Sequence, residues 1–166
     1  MINKTLSLTI VGGLCSATAV ADLQGITWDA IDSGFGIGTT YRIYANIDAG
    51  GEVDAVYGDS ANTLLIETSL GGGFYQNAFG TYAAPNPALF AVFPSLEWDS
   101  FVTIGRLTNV DNNMLDIGID WTNFEGSGGS IETSNGSWFA TPDDDQVHDD
   151  GSGRVLIGQF TVASND

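Results

Sequence analysis

The sequence predicts an all-β protein, an antiparallel β-sandwich of about eight strands in a jelly-roll or immunoglobulin-like arrangement. Its apolar segments are short and rich in β-branched residues, and Gly, Asn, Asp and Ser separate them. No segment has a convincing 3.6-residue apolar period, which an amphipathic helix would need. Residues that favour helices are also scarce, because no lysine follows Lys4 and the chain has only five glutamates.

Residues 1–21 are predicted to be a signal peptide that precedes a single domain at 22–166. Lys4 supplies the positive charge, a mostly apolar stretch covers 6–20, and Ala19-Val20-Ala21 is a small-x-small cleavage site. The alternative is a buried N-terminal strand, because apolar side chains alternate at the start of that stretch. The protein is therefore expected to be secreted, with a periplasmic or cell-surface location also open.

The first three predicted strands of the domain are residues 26–30, 40–47 and 53–57. The first is short, whereas the second alternates well, with its apolar side chains on one face of the strand. The third follows a turn at Gly50-Gly51, so the second and third strands are predicted to form a hairpin.

Five further strands are predicted at residues 64–68, 100–105, 115–121, 136–140 and 155–162. The first is a compact apolar run, and the last is rich in β-branched residues and closes the domain. Residues 115–121 place their apolar side chains on one face and two aspartates on the other. Between these strands lies a long aromatic-rich segment, and loops of that length are usually functional or carry packing of their own.

Four passages form a distinctive set: YRIYAN at 41–46, VDAVYGD at 53–59, FPSLEWDSFVTIG at 93–105 and RVLIGQF at 154–160. The set resembles uncharacterised secreted β-sandwich modules of bacteria such as planctomycetes, which often occur in proteins with C-terminal sorting tails. The similarity covers residues 25–162. The resemblance implies a secreted sandwich module and carries over no catalytic residues, because the family has no established activity.

The charge balance excludes two classes of partner. The chain has 21 Asp and Glu residues against four Lys and Arg residues, for a net charge of −17. Four cations are too few to neutralise a phosphate backbone, which excludes nucleic acid as a partner. The same shortage of cations excludes binding to an anionic membrane surface.

The apolar content is sufficient for a folded domain, because a hydrophobic fraction of 43% supports a real core. No membrane insertion is expected, and the oligomeric state is left open.

The most acidic segment is the strongest candidate for a metal site. Asp143, Asp144, Asp145, Asp149 and Asp150 fall within eight residues, and glycines follow them. Unpaired carboxylates would repel one another, and Ca²⁺ relieves such repulsion by accepting six to eight oxygen ligands in flexible geometry. The alternative is a solvated acidic hairpin tip that keeps the protein soluble. Calcium at these residues is therefore a hypothesis.

The remaining polar candidates have simpler interpretations. Asp48, Glu52 and Asp54 flank the predicted hairpin turn and are interpreted as a polar tip. His148 is the only histidine, so a zinc site would lack other nitrogen or sulfur ligands in the domain. No serine lies in a Gly-x-Ser-x-Gly elbow, which argues against acyl transfer. His148 is interpreted as an exposed residue of the acidic loop.

Aromatic side chains raise the alternative of carbohydrate binding, because sugar rings pack on Trp and Tyr faces. The candidate residues are Tyr75, Tyr82, Trp98, Trp121 and Trp138. The competing interpretation is that these rings fill the core. A glycosidase would need two carboxylates, and Glu97 and Asp99 flank Trp98, but the domain is small for such an enzyme. No residue is assigned a catalytic role.

These observations together predict a secreted, non-catalytic module that either binds a ligand or belongs to the cell surface or extracellular matrix, with calcium as a candidate stabilising ion. An extracellular glycan or a matrix component is the expected class of partner. A carbohydrate-binding module is the first alternative, and a small glycoside-active enzyme is the second.

Overall fold

Nine β-strands form three antiparallel sheets in residues 23–69 and 71–162, the part of the chain that the computed structural model describes. The all-β prediction is therefore confirmed. The predicted signal peptide at 1–21 lies outside the described residues. The strands are β1 (Leu23–Asp32), β2 (Thr39–Ile47), β3 (Ala55–Gly58), β4 (Leu64–Ile66), β5 (Phe101–Val102), β6 (Leu115–Ile117), β7 (Ile131–Thr133), β8 (Gly136–Phe139) and β9 (Arg154–Val162). The helices are two 3₁₀ helices, Pro87–Leu89 and Pro94–Trp98, and one α-helix, α1 (Thr122–Ser127).

The largest sheet has four strands in the order β1-β2-β9-β5. A second sheet has the order β3-β8-β6, and β4 pairs with β7 in a third. The predicted hairpin of β2 and β3 is wrong, because β1 and β9 occupy the two edges of β2 and β3 pairs with β8 instead. Each of the eight predicted strands overlaps an observed one, whereas β7 was not predicted.

Side chains from all three sheets share one hydrophobic core. The four-stranded sheet contributes Val102, Val155 and Phe160, and the two smaller sheets contribute Trp138 and Ile131. The Trp138 side chain has no exposed surface, and its Nε1 donates a hydrogen bond of 3.1 Å to the carbonyl of Thr103. This pairing satisfies the one polar group of the indole, so the ring can fill the centre of the core.

Apolar and acidic side chains alternate along β6, as the sequence predicts. The apolar side chains face the solvent, however, and the acidic one faces the core. Leu115 is 58% exposed and Ile117 is 66% exposed, whereas Asp116 points inward. The Asp116 carboxylate accepts a hydrogen bond of 2.7 Å from the Tyr82 hydroxyl and one of 2.9 Å from Trp121 Nε1. Because both oxygens are paired, the carboxylate can face the interior.

The long segment between β4 and β5 is irregular and is tied to the large sheet by hydrogen bonds. The amide of Tyr75 donates to the carbonyl of Thr161 at 2.7 Å, and the Thr161 hydroxyl donates to the carbonyl of Trp98 at 2.6 Å. Residues 97–99 belong to the end of the second 3₁₀ helix rather than to an extended strand, so Glu97 and Asp99 do not share a strand face. No helix in residues 23–69 and 71–162 is long and apolar enough to cross a membrane.

Candidate binding groove

Strand β1 is the outermost strand of the four-stranded sheet, and its core-facing side is uncovered. The antiparallel register places Ile26 opposite Ala45 and Trp28 opposite Ile43, so these four side chains lie on one face of the sheet. Ala45 is 3% exposed on that face, as a core residue should be. Ile26 is 48% exposed and Trp28 is 62% exposed. The core therefore continues under β2 but stops short of β1.

An apolar groove opens beside β1, facing β3 and β4. One cavity of about 790 Å³ and an adjoining one of about 430 Å³ share Ile26, Val56 and Ile157 in their linings. Strands β3 and β4 have only four and three residues, so the layer that they form cannot cover a ten-residue β1. We define the apolar groove by the residues Ile26, Tyr41, Ile43, Val56, Leu64 and Phe160.

All charged residues that line the two cavities are acidic. Glu67 lines the larger cavity, and Glu52 and Asp54 line the smaller one. The tight turn after β2 brings them there, because the amide of Gly51 donates to the carbonyl of Asp48 at 2.9 Å. Gly50 adopts a φ of 80°, which a residue with a side chain adopts at a cost. The turn returns the chain toward β3, with Glu52 and Asp54 at one end of the groove.

The Asp54 carboxylate is poorly compensated. Its Oδ1 atom is buried and has no hydrogen-bond partner among the described residues. Desolvation raises the pKa of Asp54, and the adjacent Glu52 carboxylate raises it further. Glu52 accepts a hydrogen bond of 3.4 Å from the amide of Asp143 and lies 3.9 Å from His148 Nδ1. The groove thus ends at a pair of carboxylates whose charge the described residues offset only in part.

The outer edge of β1 has no strand partner in the described residues, since β1 pairs only with β2. On the face of the sheet opposite the groove, Asp29 forms a paired salt bridge with Arg154, at 3.2 Å and 3.3 Å. This pair anchors β1 to β9 across β2. Strand β1 is therefore held in place on one face, while its apolar side chains are exposed and its outer edge pairs with no strand of residues 23–69 and 71–162.

Three of the five predicted ligand-binding aromatic residues come together, but they do so at the core. Trp138 is completely buried and Trp121 is 8% exposed, which agrees with the competing interpretation that these rings fill the core. Tyr82 stacks on Trp121, with ring centroids 4.5 Å apart and ring planes 5° apart. The Tyr82 hydroxyl donates its hydrogen bond to the Asp116 carboxylate. These rings pack against one another and leave no free aromatic platform.

The other two predicted aromatic residues are half-buried. The Tyr75 hydroxyl accepts a hydrogen bond of 3.1 Å from Asn77 Nδ2. The Trp98 ring has the Arg42 guanidinium 6.0 Å from its centroid, and its Nε1 is buried with no partner among the described residues. The Trp98 side chain thus contacts the large sheet through Arg42 of β2, whereas the Tyr75 hydroxyl is bonded within the irregular segment.

In the acidic loop, carboxylates are engaged by nearby amides. Asp144 accepts hydrogen bonds from Asn113 Nδ2 at 2.9 Å and from the amide of Gln146 at 3.2 Å, and these bonds lower its pKa. Asp149 accepts a hydrogen bond of 2.7 Å from the amide of Gly153. The loop therefore relieves part of its charge repulsion through its own backbone and a neighbouring side chain.

The remaining carboxylates of that loop do not converge. Asp150 accepts hydrogen bonds from the amide and the hydroxyl of Ser152, whereas Asp143 and Asp145 are exposed. Within residues 23–69 and 71–162, no group of three or more His, Cys, Asp or Glu side chains is arranged to hold a metal ion. Calcium binding by this loop stays a prediction.

Sequence analysis missed two features. Asp99 was considered only as a carboxylate that flanks Trp98, but its side chain is completely buried, and its Oδ1 accepts a hydrogen bond of 2.7 Å from the amide of Asn77. Its neighbours Glu97 and Ser100 are also polar, so the sequence gives no signal that this carboxylate is buried. The open face of β1 was also missed, since a strand's own residues do not reveal how far the opposite layer extends.

In comparisons with protein-family models, curated proteins and solved structures, the chain matched none. The features that bear on function are therefore the groove, its acidic end and the outer edge of β1, which has no strand partner in the described part of the chain.

Proposed function

We propose that the protein is a secreted, non-catalytic binding module whose binding surface is the apolar groove. The observation that carries this proposal is the contrast along one sheet face, where Ala45 is buried while Ile26 and Trp28 are about half exposed or more. Exposing large apolar side chains beside a preformed concave surface costs stability, and such surfaces usually mark interaction sites. The predicted signal peptide supports a role outside the cytoplasm.

The arrangement of carboxylates supports binding rather than glycoside hydrolysis. A glycosidase needs two carboxyl groups about 5–10 Å apart on either side of the scissile bond. The Glu52 and Asp54 carboxylates are instead neighbours at one end of the groove, close enough for the charge of Glu52 to raise the pKa of Asp54. Glu97 is exposed and Asp99 is fully buried, so these two do not face a common cleft. The proposal therefore assigns no catalytic residue.

The proposal is tested by titrating the protein with Nile red, a neutral apolar dye whose fluorescence rises in apolar surroundings. Ile26→Asp places a charge in the wall of both cavities, and we expect dye affinity to fall at least about tenfold. Val92→Asp is the matched control, because Val92 is also exposed and lies outside the groove. Equal dye affinity in the two variants would contradict the proposal.

A further inference from the structure

We propose that the groove binds an extended, cationic segment of a protein partner, which adds as a strand to the outer edge of β1 and places a Lys or Arg side chain beside Glu52 and Asp54. This inference rests on the proposed binding function of the groove. It specifies the conformation, the charge and the orientation of the occupant.

The edge of β1 supports an extended occupant. Strand β1 has ten residues and a strand neighbour on only one side in the described part of the chain. Natural edge strands are usually protected from pairing by lysine, proline or short length. Residues 26–32, ITWDAID, are long enough to pair and contain neither lysine nor proline. An unprotected edge of this kind is the template for strand addition, in which backbone hydrogen bonds provide affinity.

The groove determines which side chains the added strand must carry. A strand paired to β1 lies about 4.8 Å from it, and alternate side chains point to the same face as Ile26 and Trp28. Those side chains would cover the groove and complete the layer that β3 and β4 leave open. The occupant should therefore be apolar at alternate positions over about seven residues, the length from Ile26 to Asp32.

The charges around the groove select a cationic partner over a second copy of this chain. The charged lining residues are Glu52, Asp54 and Glu67, and the Oδ1 atom of Asp54 is buried without a hydrogen-bond partner among the described residues. A Lys or Arg side chain in the smaller cavity would place its positive charge beside the Glu52 and Asp54 carboxylates, whose negative charge the described residues offset only in part. Two copies of the chain would instead bring together two molecules that each carry a net charge of −17.

The acidic pair also sets the orientation of the occupant. Glu52 and Asp54 line the smaller cavity together with Leu23, the first residue of β1. His148 is a neighbour of Glu52, at 3.9 Å, and Asp143 donates its amide to the same side chain. The cation of the partner should therefore lie near the start of β1. In an antiparallel pairing, this position corresponds to the C-terminal end of the added strand.

The experiment uses four synthetic nine-residue peptides of alternating Val and Thr, with two Lys or two Glu residues at the C-terminal or N-terminal end. Calorimetry gives the Kd of each peptide. We expect the Lys peptide whose charges lie at its C-terminal end to bind at least about tenfold more tightly than its Glu counterpart, as an antiparallel added strand requires. Glu52→Gln/Asp54→Asn should reduce that preference to about threefold or less. Asp111→Asn/Asp120→Asn is the control, because it removes the same charge from residues outside the groove and should preserve the preference.

Backbone methylation tests strand addition separately. In an added strand, one alternate set of amides faces β1 and the other set faces away. N-methylation of one set in the preferred Lys peptide should abolish binding, whereas methylation of the other set should change the Kd by about threefold or less. Equal effects of the two sets would overturn the inference of strand addition.

The outcomes distinguish this inference from the proposed function. If Ile26→Asp abolishes Nile red binding while Lys and Glu peptides bind equally, the groove is a binding site and the cationic occupant is wrong. If neither the dye nor any peptide responds to Ile26→Asp, both proposals are wrong. If the protein forms dimers in sedimentation that Ile26→Asp dissociates, the occupant is a second copy, which also overturns the inference.

Discussion

The carboxylate of Asp99 is completely buried, and this burial shifts its pKa. Desolvation raises its pKa from 3.8 to about 7, and hydrogen bonds from the backbone amides of Asn77 and Ser100 oppose the shift only in part. Its Oδ2 atom is buried without a hydrogen-bond partner among the described residues and packs closely against Gly80. The side chain thus anchors the long irregular segment through one oxygen and keeps the other in an apolar contact.

This burial predicts how the stability depends on pH. The folded-state pKa of Asp99 lies above its unfolded value, so the folded protein binds the proton more tightly between about pH 4 and 7. The free energy of unfolding should fall as the pH rises through this window, by up to about 4 kcal/mol from this one group. Asp99→Asn should remove this pH dependence of the free energy of unfolding. The amide oxygen of the new side chain can still accept the hydrogen bond from the Asn77 backbone amide.

The measurement is urea unfolding of the protein at a series of pH values across that window. Glu97→Gln is the matched control, because Glu97 is exposed and lies two residues away. We expect the control to keep the pH dependence of the original chain and Asp99→Asn to lose most of it. The same slope in both variants would show that Asp99 ionises normally in the folded protein.

At the scale of elements, the sequence determined where strands form better than which strands pair. The period of two in β2 is visible in the sequence because one face of that strand, with Ala45 and Ile47, packs on the core. The faces of β6 were exchanged, because the hydrogen bonds that let Asp116 turn inward come from Tyr82 and Trp121, which the pattern of β6 does not show. The predicted hairpin failed because the neighbours of β2 depend on long-range packing.

The residues of the candidate site could be predicted from the sequence, but their arrangement around an open groove could not. The acidic character of Glu52 and Asp54 is plain in the sequence, and so is the apolar alternation that includes Ile26 and Trp28. Neither observation shows that the opposite layer ends before β1, because that depends on the lengths of β3 and β4. The groove is therefore a property of how elements of unequal length are combined.

Gly105, which connects β5 to the segment before β6, provides a prediction about packing. Its amide donates to the carbonyl of Leu156 at 2.7 Å, and its φ is 68°. A Cβ at this position would overlap the backbone oxygen of Gln146. Backbone strain alone should lower the free energy of unfolding of Gly105→Ala by about 1–2 kcal/mol. The steric overlap should lower it by at least about 2 kcal/mol more.

Gly36 is the matched control for that substitution, because it has the same φ of 68° and no atom lies within 4 Å of the position that a Cβ would occupy. Gly36→Ala should show the cost of backbone conformation without the steric overlap. The difference in the free energy of unfolding, measured in urea, isolates the contribution of packing. Equal destabilisation by the two substitutions would mean that the chain around Gln146 shifts easily.

On the scale of the whole molecule, the net charge of −17 acts against the compact state. The described residues contain one ion pair between an arginine and a carboxylate, Arg154 with Asp29 at 3.2 Å, and His148 Nδ1 lies 3.9 Å from Glu52. Most carboxylates are therefore balanced by hydrogen bonds or by solvent rather than by cations. Repulsion of this kind is spread over the surface and weakens as salt shortens the screening length.

This distribution predicts opposite effects of salt on folding and on binding. Raising NaCl from about 0.02 M to 0.5 M should increase the free energy of unfolding by about 1 kcal/mol, which corresponds to a rise in Tm of about 3–5 °C. The affinity for the cationic peptide should fall over the same range, because screening weakens its attraction to Glu52 and Asp54. Thermal unfolding and calorimetry measure the two effects.

Divalent ions at equal ionic strength separate screening from a specific site. Screening alone would raise Tm equally in CaCl₂ and MgCl₂. Calcium bound by the acidic loop would add an increment in CaCl₂ only, and Asp143→Asn/Asp145→Asn/Asp149→Asn would remove it. A Tm that is unchanged or lower in NaCl would contradict the screening argument, because the folded state would then gain nothing from weaker repulsion among its carboxylates.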